Sequence, residues 1–363
     1  MSAPETINFT RGVPANESFP IADLAASAAT ALANGGEALM VYGPAAGLAP
    51  LRAWLAEWQG VKPEQVLTGN GSLELVEFLC TAMIKPGDVV FTEAPSYDRA
   101  ITLFRRHGAN VVGVPLDADG PDLDALEKLL AVHKPKLFYV IPDFQNPSGA
   151  TCSTAKRKRL VEIAEKHDLL LLEDAPYRLL RYRGTQEPTL FSLAPQRTLH
   201  MTSFTKLIAP GVRLGFMIGD AGTLAKIGKV AEDTYISPGY FAHGVTLEWL
   251  KAGKLAPQIE KLKALYAPRL EACLAALDKY MPDAVATRPD GGFFLSLTLP
   301  AGVLTTDLRA AAAKRNLNLA DGLAFFPSGG GERFLRLPFC ALTPAQIEEG
   351  IKRLAEVVKE VRR

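Results

Sequence analysis

Between residues 88 and 219 short apolar runs alternate with longer stretches of helical period. The runs predict strands at Asp88–Glu93, Asn110–Val114, Lys136–Ile141, Leu169–Glu173, Thr198–Ser203 and Arg213–Ile218. Two of them, Leu137–Ile141 and Leu169–Leu172, are apolar at every position, the pattern of a sheet covered on both faces. Amphipathic stretches at Tyr97–His107, Leu123–His133 and Thr154–His167 separate them. This order predicts an α/β fold with a mainly parallel sheet between helices. Ligands then belong at the carboxyl ends of the strands.

The last quarter has a different rhythm. Gly239–Leu277 reads as helix, interrupted by Pro257 and Pro268. Asp290-Gly291-Gly292 turns into the apolar run Phe293–Leu299, followed by a helix near Thr306–Arg315 and an extended stretch at Phe334–Phe339. In the closing helix Ile347, Ile351, Leu354, Val358 and Val361 recur at three and four residues, an apolar stripe facing a core. A smaller α+β domain is expected here. The first 40 residues, with a helix near Ile21–Asn34, are expected to pack against it. The large domain then spans 41–269, and the small one combines 1–40 with 270–363.

Composition narrows the class of partner. The 363 residues are 48% hydrophobic and 22% charged, a core-forming rather than a disordered balance. Forty basic residues against 39 acidic ones leave a net charge of +1, which supplies no long-range field for nucleic acid or anionic lipid. The basic run Lys156–Arg159 reads as a solvated helix face, and Gly329–Gly331 as a flexible loop. Cys80, Cys152, Cys273 and Cys340 stand far apart without metal-ligand spacing, so no metal site is expected and free thiols suit a reducing cytoplasm. No secretory signal is visible, and no apolar run approaches the roughly 20 residues of a membrane span. A small-molecule ligand and a cytoplasmic location are the expectation.

The densest chemistry lies in Ser203-Phe-Thr-Lys206-Leu-Ile-Ala-Pro210-Gly211-Val-Arg213-Leu-Gly215, between two predicted strands. A lysine here can condense with a carbonyl if desolvation or positive charge keeps its amine partly neutral, and Arg213 could supply that charge while holding an anion. The run Leu169–Glu173 leads into Asp174-Ala175-Pro176-Tyr177. A carboxylate where a buried strand meets its loop needs a partner; Asp174 suits a protonated ring nitrogen or a helix cap. Asn146 precedes Pro147 in an extended turn, with an amide to offer. Gly71, Ser72 and Leu73 open a helix, as an N-cap or as an anion-binding helix start. Neither a dinucleotide glycine motif nor a P-loop is present, because Glu74 stands at the third glycine position and no Gly-Lys-Ser/Thr follows. Tyr97, after another strand, suits core packing or ring stacking.

One cofactor asks for all of these groups. Pyridoxal 5'-phosphate needs a lysine for its aldehyde, a carboxylate for its pyridine nitrogen, donors for its ring oxygen, an aromatic against its ring, and a helix start plus an arginine for its phosphate. Lys206, Asp174, Asn146 with Tyr177, Tyr97, and Gly71–Leu73 with Ser203 and Arg213 match these needs.

The sequence also resembles the fold-type I, class I/II aminotransferases, especially the branch of 2-aminoadipate and aromatic aminotransferases and of MocR-type regulator domains. Tyr42-Gly43 to Leu51-Arg52, Asn146-Pro-Ser-Gly149, Glu173-Asp-Ala-Pro-Tyr177, Pro289-Asp-Gly-Gly-Phe-Phe294 and Arg336-Leu-Pro-Phe339 are similar to its blocks. Thr205 departs from the serine usual before the lysine. The resemblance implies a homodimer in which Tyr42 reaches the neighbouring subunit's phosphate. It further implies that Arg336 grips the substrate α-carboxylate, a bidentate task suited to a guanidinium, beside Gly12 and Asn146. Arg11 reads as a surface salt-bridge residue or as a candidate for a distal carboxylate. The implied reaction moves an amino group between an L-amino acid and a 2-oxo acid, with Lys206, Asp174 and Tyr97 as the catalytic set. A lyase or decarboxylase on the same scaffold is the alternative. A sensor domain is less expected, because about ten residues precede Arg11 and leave no space for a DNA-binding module.

Overall fold

The computed structural model describes residues 5–362. Among them thirteen strands form three sheets. In chain order these are β1 (Ile7–Phe9), β2 (Val66–Gly69), β3 (Val89–Ala94), β4 (Asn110–Asp117), β5 (Gly120–Pro121), β6 (Pro135–Val140) and β7 (Leu171–Asp174). They continue with β8 (Thr198–Ser203), β9 (Gly215–Ile218), β10 (Val285–Ala286), β11 (Phe294–Thr298), β12 (Leu317–Leu319) and β13 (Phe334–Pro338).

The large sheet runs β2-β9-β8-β7-β6-β3-β4-β5. Its centre, from β4 through β8, is parallel. β9 returns antiparallel to β8, β2 is antiparallel to β9, and β5 is antiparallel to β4. The stretch between β8 and β9 holds a single 3-10 turn, Pro210–Val212. A parallel crossover needs a dozen or more residues and usually a helix, so this short connection reverses the chain. β2 escaped the apolar pattern because its four residues, all buried, show too little of any period. The apolar runs do line a sheet covered on both faces: Leu137, Tyr139 and Ile141 join Leu75, Leu79 and Phe104 on one side, while Phe138 and Val140 join Leu160, Ile163 and Leu190 on the other.

β10, β11 and β13 form the smaller antiparallel sheet. Its core unites Leu297, Leu335 and Leu337 with Leu270 and Leu277 of one helix and Ile351 and Leu354 of another. The stretch expected as one helix is two, Tyr240–Lys251 and Leu255–Tyr280. They part at Gly253, whose φ of +71° is the left-handed turn that ends a helix and that glycine adopts without strain. Pro257 falls in the first turn of the second helix, where its missing N–H costs nothing, and Pro268 is carried inside it.

The first forty residues divide. β1 pairs in parallel with β12, whereas the helix Ile21–Leu39, expected against the smaller sheet, packs on the helix Tyr240–Lys251. Gly244 makes that approach possible, since a Cβ there would lie 2.5 Å from a methyl of Leu39.

The basic run is not a uniformly solvated face. Lys156 pairs with Asp117 and Asp119, and Arg159 with Asp124 and Glu127. Arg157 is fully buried; its Nη2 lies 2.8 Å from Asp143 and it donates to the carbonyls of Pro142, Cys152 and Pro188. A charge enters a core only with such a full set of partners. All four cysteines are free and buried, and Gly329, Gly330 and Gly331 each carry a positive φ.

Candidate active site

A cleft of about 460 Å³ opens at the carboxyl ends of the central strands. It gathers Lys206, Asp174, Tyr97, Asn146, Tyr177, Ser203, Arg213, Gly71, Ser72, Leu73, Gly12, Arg11 and Arg336. Tyr42 is not among its walls and is 78% exposed.

One end is built for an anion. Gly71 precedes the helix Ser72–Met83 with φ 102° and ψ 157°, and no side chain caps the first turn. Its N–H groups therefore stay available, with the positive end of the helix dipole behind them. β9 lies so close that a Cβ on Gly215 would come 2.4 Å from the Ser72 nitrogen. Arg213 takes a left-handed conformation that brings Nη2 to the Asn70 carbonyl at 2.6 Å, beside Gly71. The Ser203 hydroxyl accepts from the Thr205 amide at 3.1 Å and donates toward Thr205 Oγ1 at 2.8 Å.

The middle is built for a cation. β7 ends on Asp174, whose Oδ2 accepts from the Tyr139 hydroxyl at 2.6 Å while Oδ1 is buried with no partner. Burial pushes this carboxyl up to about 6, against the Tyr139 hydrogen bond and the charges of His200 and Lys206. Behind it His200 Nδ1 lies 2.9 Å from Glu173, whose carboxylate also accepts from the amides of Leu190 and Phe191. Tyr97 closes one side, its hydroxyl pushed up to about 12 by burial.

Lys206 reaches in from the loop after β8. Its Nζ donates to the Gly12 carbonyl at 2.9 Å and sits 5.8 Å and 5.7 Å from the ring centres of Tyr177 and Phe293. Burial first, then the nearby Arg336 charge, holds its pKa below the ordinary lysine range despite the opposing pull of Cys340 and Asp174. That favours the neutral amine, the form that attacks carbonyls and takes protons.

Arg336 projects from β13 between the rings of Phe294 and Phe325, at 4.9 Å and 4.7 Å. Nη1 donates to Asn146 Oδ1 at 2.9 Å and Nη2 to the Thr10 carbonyl at 2.6 Å, while Nε is buried without a partner. Arg11 is exposed at the mouth and makes no ion pair among the described residues.

Tyr139, Phe294, Phe325 and the Thr10 and Gly12 carbonyls were not singled out in the sequence. Tyr139 was legible only as one position of an apolar strand. Only the fold registers it beside Leu172, two residues before Asp174, on the face the aspartate shares.

Comparison with known proteins decides the family. Residues 3–361 match the aspartate amino-transferase family. The chain belongs to it. The aminotransferase is 36% identical to the 2-aminoadipate transaminase of Thermus thermophilus, over 98% of this chain and 91% of that one. It is 32% identical to aromatic-amino-acid aminotransferase 1 of Thermococcus litoralis, over 98% and 88%. Its structure superposes with a TM-score of 0.94 on an α-aminoadipate aminotransferase from Thermus thermophilus complexed with N-(5'-phosphopyridoxyl)-L-leucine, at 36% identity over 98% and 92% of the two chains. A multiple substrate aminotransferase from Thermococcus profundus gives 0.95 at 31% identity over 99% and 93%.

The cleft of the aminotransferase fits pyridoxal 5'-phosphate on two counts. The unpartnered Asp174 Oδ1 demands a cationic donor, which a protonated pyridine nitrogen is. The uncapped helix start beside Arg213 demands an anion. The fold is that of the fold-type I enzymes, with helices around a mixed, mostly parallel sheet.

Proposed function

We propose that this pyridoxal phosphate-dependent aminotransferase moves an amino group from an L-amino acid with an aromatic, aliphatic or 2-aminoadipate-like side chain to a 2-oxo acid such as 2-oxoglutarate. The observation that carries the reading is the free buried oxygen of Asp174, in one cleft with an amine of lowered pKa and an arginine with an unused buried Nε. When bound, the cofactor supplies a sink for the electrons of the substrate α-carbon.

The residues then take separate tasks. Asp174 Oδ1 would hold the proton on the ring nitrogen, Tyr97 would cover the ring, and Asn146 and Tyr177 would hold the ring oxygen. Gly71, Ser72, Leu73, Ser203 and Arg213 hold the phosphate. Arg336 and Asn146 orient the α-carboxylate, and Gly12 lets it approach. Lys206 Nζ, released from the Gly12 carbonyl, would accept the α-proton and deliver it to the cofactor's carbon, a transfer its depressed pKa favours near neutral pH. Arg11 receives a distal carboxylate.

Homodimerisation and a cytoplasmic setting belong to the same proposal. Met40, Val41, Tyr42, Ile236 and Phe241 are exposed apolar side chains, on two segments that the Tyr240–Pro44 hydrogen bond joins. Exposed apolar side chains on joined segments suit a second subunit, which Tyr42 would enter. With 41–269 as one domain and 270–363 joined by β1 as the other, and with the helix Ile21–Leu39 riding on the first, the cleft lies on their seam.

Lys206→Ala tests the reading. Turnover with an amino acid and 2-oxoglutarate is expected to fall at least about 10²–10⁴-fold while the circular dichroism spectrum stays that of the parent. Undiminished turnover refutes the assignment. Release of carbon dioxide or ammonia in place of amino transfer moves the reaction to the lyases.

A further inference from the structure

Asp174 is held by a residue that neither the lysine block nor the arginine block contains. Tyr139 lies on β6, fully buried, and β6 pairs with β7 so that Tyr139 stands opposite Leu172. Asp174 is two residues further along β7, on the same face. The tyrosine ring meets Phe104 edge to face at 5.9 Å and belongs to the apolar cluster on that face of the sheet. Its hydroxyl has one hydrogen-bonding partner among the described residues, Asp174 Oδ2 at 2.6 Å. A phenol in a dry core donates to the only acceptor it can reach, and a bond to an ionised carboxylate is of the short, strong kind.

We propose that Tyr139 is a positioning residue for the reaction: by donating to Oδ2 it locks the Asp174 carboxylate in its ionised form with Oδ1 turned to the cleft, where the cofactor's ring nitrogen is held. The inference rests on the proposed pairing of Asp174 with that nitrogen. Lys206 supplies positive charge near Asp174 from the loop after β8, and His200, itself bonded to Glu173, lies on β8. Tyr97 and Tyr177 approach from the loops after β3 and β7, and Glu93 adds to the acid cluster around Tyr139 from β3. None of these has a hydrogen bond to either Asp174 oxygen. Among the described residues Tyr139 alone fixes the carboxylate's rotation. It also opposes the burial that raises this carboxyl; without it, more of Asp174 is protonated near neutral pH and presents a hydroxyl where a carboxylate is needed.

The experiment compares Tyr139→Phe, Asp174→Asn and the double variant with the parent. Each is stripped of cofactor and titrated with pyridoxal phosphate, and the pH dependence of kcat is recorded for the variants that turn over. Phenylalanine keeps the ring and its packing, and thermal unfolding of the cofactor-free proteins checks the fold. Tyr139→Phe is expected to bind the cofactor about tenfold more weakly, which is about 1.4 kcal/mol. Its acid limb is expected at higher pH, with KM for the amino acid little changed. In the Asp174→Asn background the same substitution is expected to have no further effect on affinity, because there is no carboxylate left to hold. A Tyr139→Phe protein with parental affinity and an unmoved acid limb overturns the proposal. So does an equal loss in both backgrounds, which marks a packing role. If Asp174→Asn alone binds like the parent, the pairing with the ring nitrogen falls, and the role of Tyr139 falls with it.

Discussion

Gly71→Ala is the substitution whose consequence the geometry specifies most closely. At φ 102° and ψ 157° the residue occupies a region open essentially to glycine, and forcing a side chain there costs of order 1–3 kcal/mol. The new methyl would also sit 2.7 Å from Arg213 Nη2, too close to stay. The guanidinium is tethered to the carbonyls of Asn70 and Pro210, so it must either break from Asn70 or swing out of line with the helix start. Losing one charge-assisted hydrogen bond to a phosphate costs about 1.5–3 kcal/mol, or roughly 10–150-fold in affinity at 1.4 kcal/mol per decade. Titration of the cofactor-free protein with pyridoxal phosphate measures this, and pyridoxal without its phosphate is the control. The variant is expected to lose affinity for the first and to keep it for the second. Equal affinity of parent and variant for pyridoxal phosphate would refute the placement of the phosphate at Gly71 and Arg213. An equal loss for both ligands would mean that the strain had spread into the ring site.

Three further outcomes are expected. Glu93 is 1% exposed and pushed up to about 8, mainly by burial, so the folded state keeps a proton that the unfolded chain has released above its ordinary value of 4.5. The stability this contributes is full at low pH and drains away up to about pH 8. Glu93→Gln should therefore gain on the parent by about 2–3 kcal/mol between pH 6 and pH 8 in urea unfolding, and parallel curves would contradict this. Arg157→Leu should cost about 3–5 kcal/mol of stability in the same assay, because Asp143 keeps only Arg178 at 3.4 Å; a loss under about 1 kcal/mol would show the pair is not structural. Arg11→Ala should raise KM for 2-oxoglutarate about tenfold and leave KM for pyruvate unchanged, whereas an equal change in both would remove Arg11 from substrate recognition.

The sequence made the central sheet visible through short apolar runs, two of them apolar at every position, and it made the lysine, aspartate and arginines of the site visible because they stand in or beside predicted strands within recognisable blocks. β2 and the strand pairing of β1 were hidden, being three or four residues long and dependent on partners more than a hundred residues away. Pro268 inside a helix and Gly253 between two helices show local punctuation being overruled by packing in one place and obeyed in another. Arg157 looked like its basic neighbours, and only the fold brings Asp143 and three carbonyls to it. Tyr139 was concealed by success: a residue that fits an apolar strand gives no sign of the one polar atom it carries.

Besides local bonds to Asn8 and Ala15, the stretch from Thr10 to Ser18 makes hydrogen bonds with the distant Arg336, Lys206, Cys340, Tyr266 and Gln258. Thr10 and Arg336 are 326 positions apart. At 5–20 residues per second a ribosome needs about 16–65 s to cover that distance. During that interval the earliest part of the chain has no place to dock, and the wall of the pocket that carries Arg336 does not yet exist. The residues assigned to the cofactor, 71–213, are thus all made before Arg336, and it is the substrate-carboxylate side of the pocket that is completed only near the end of synthesis.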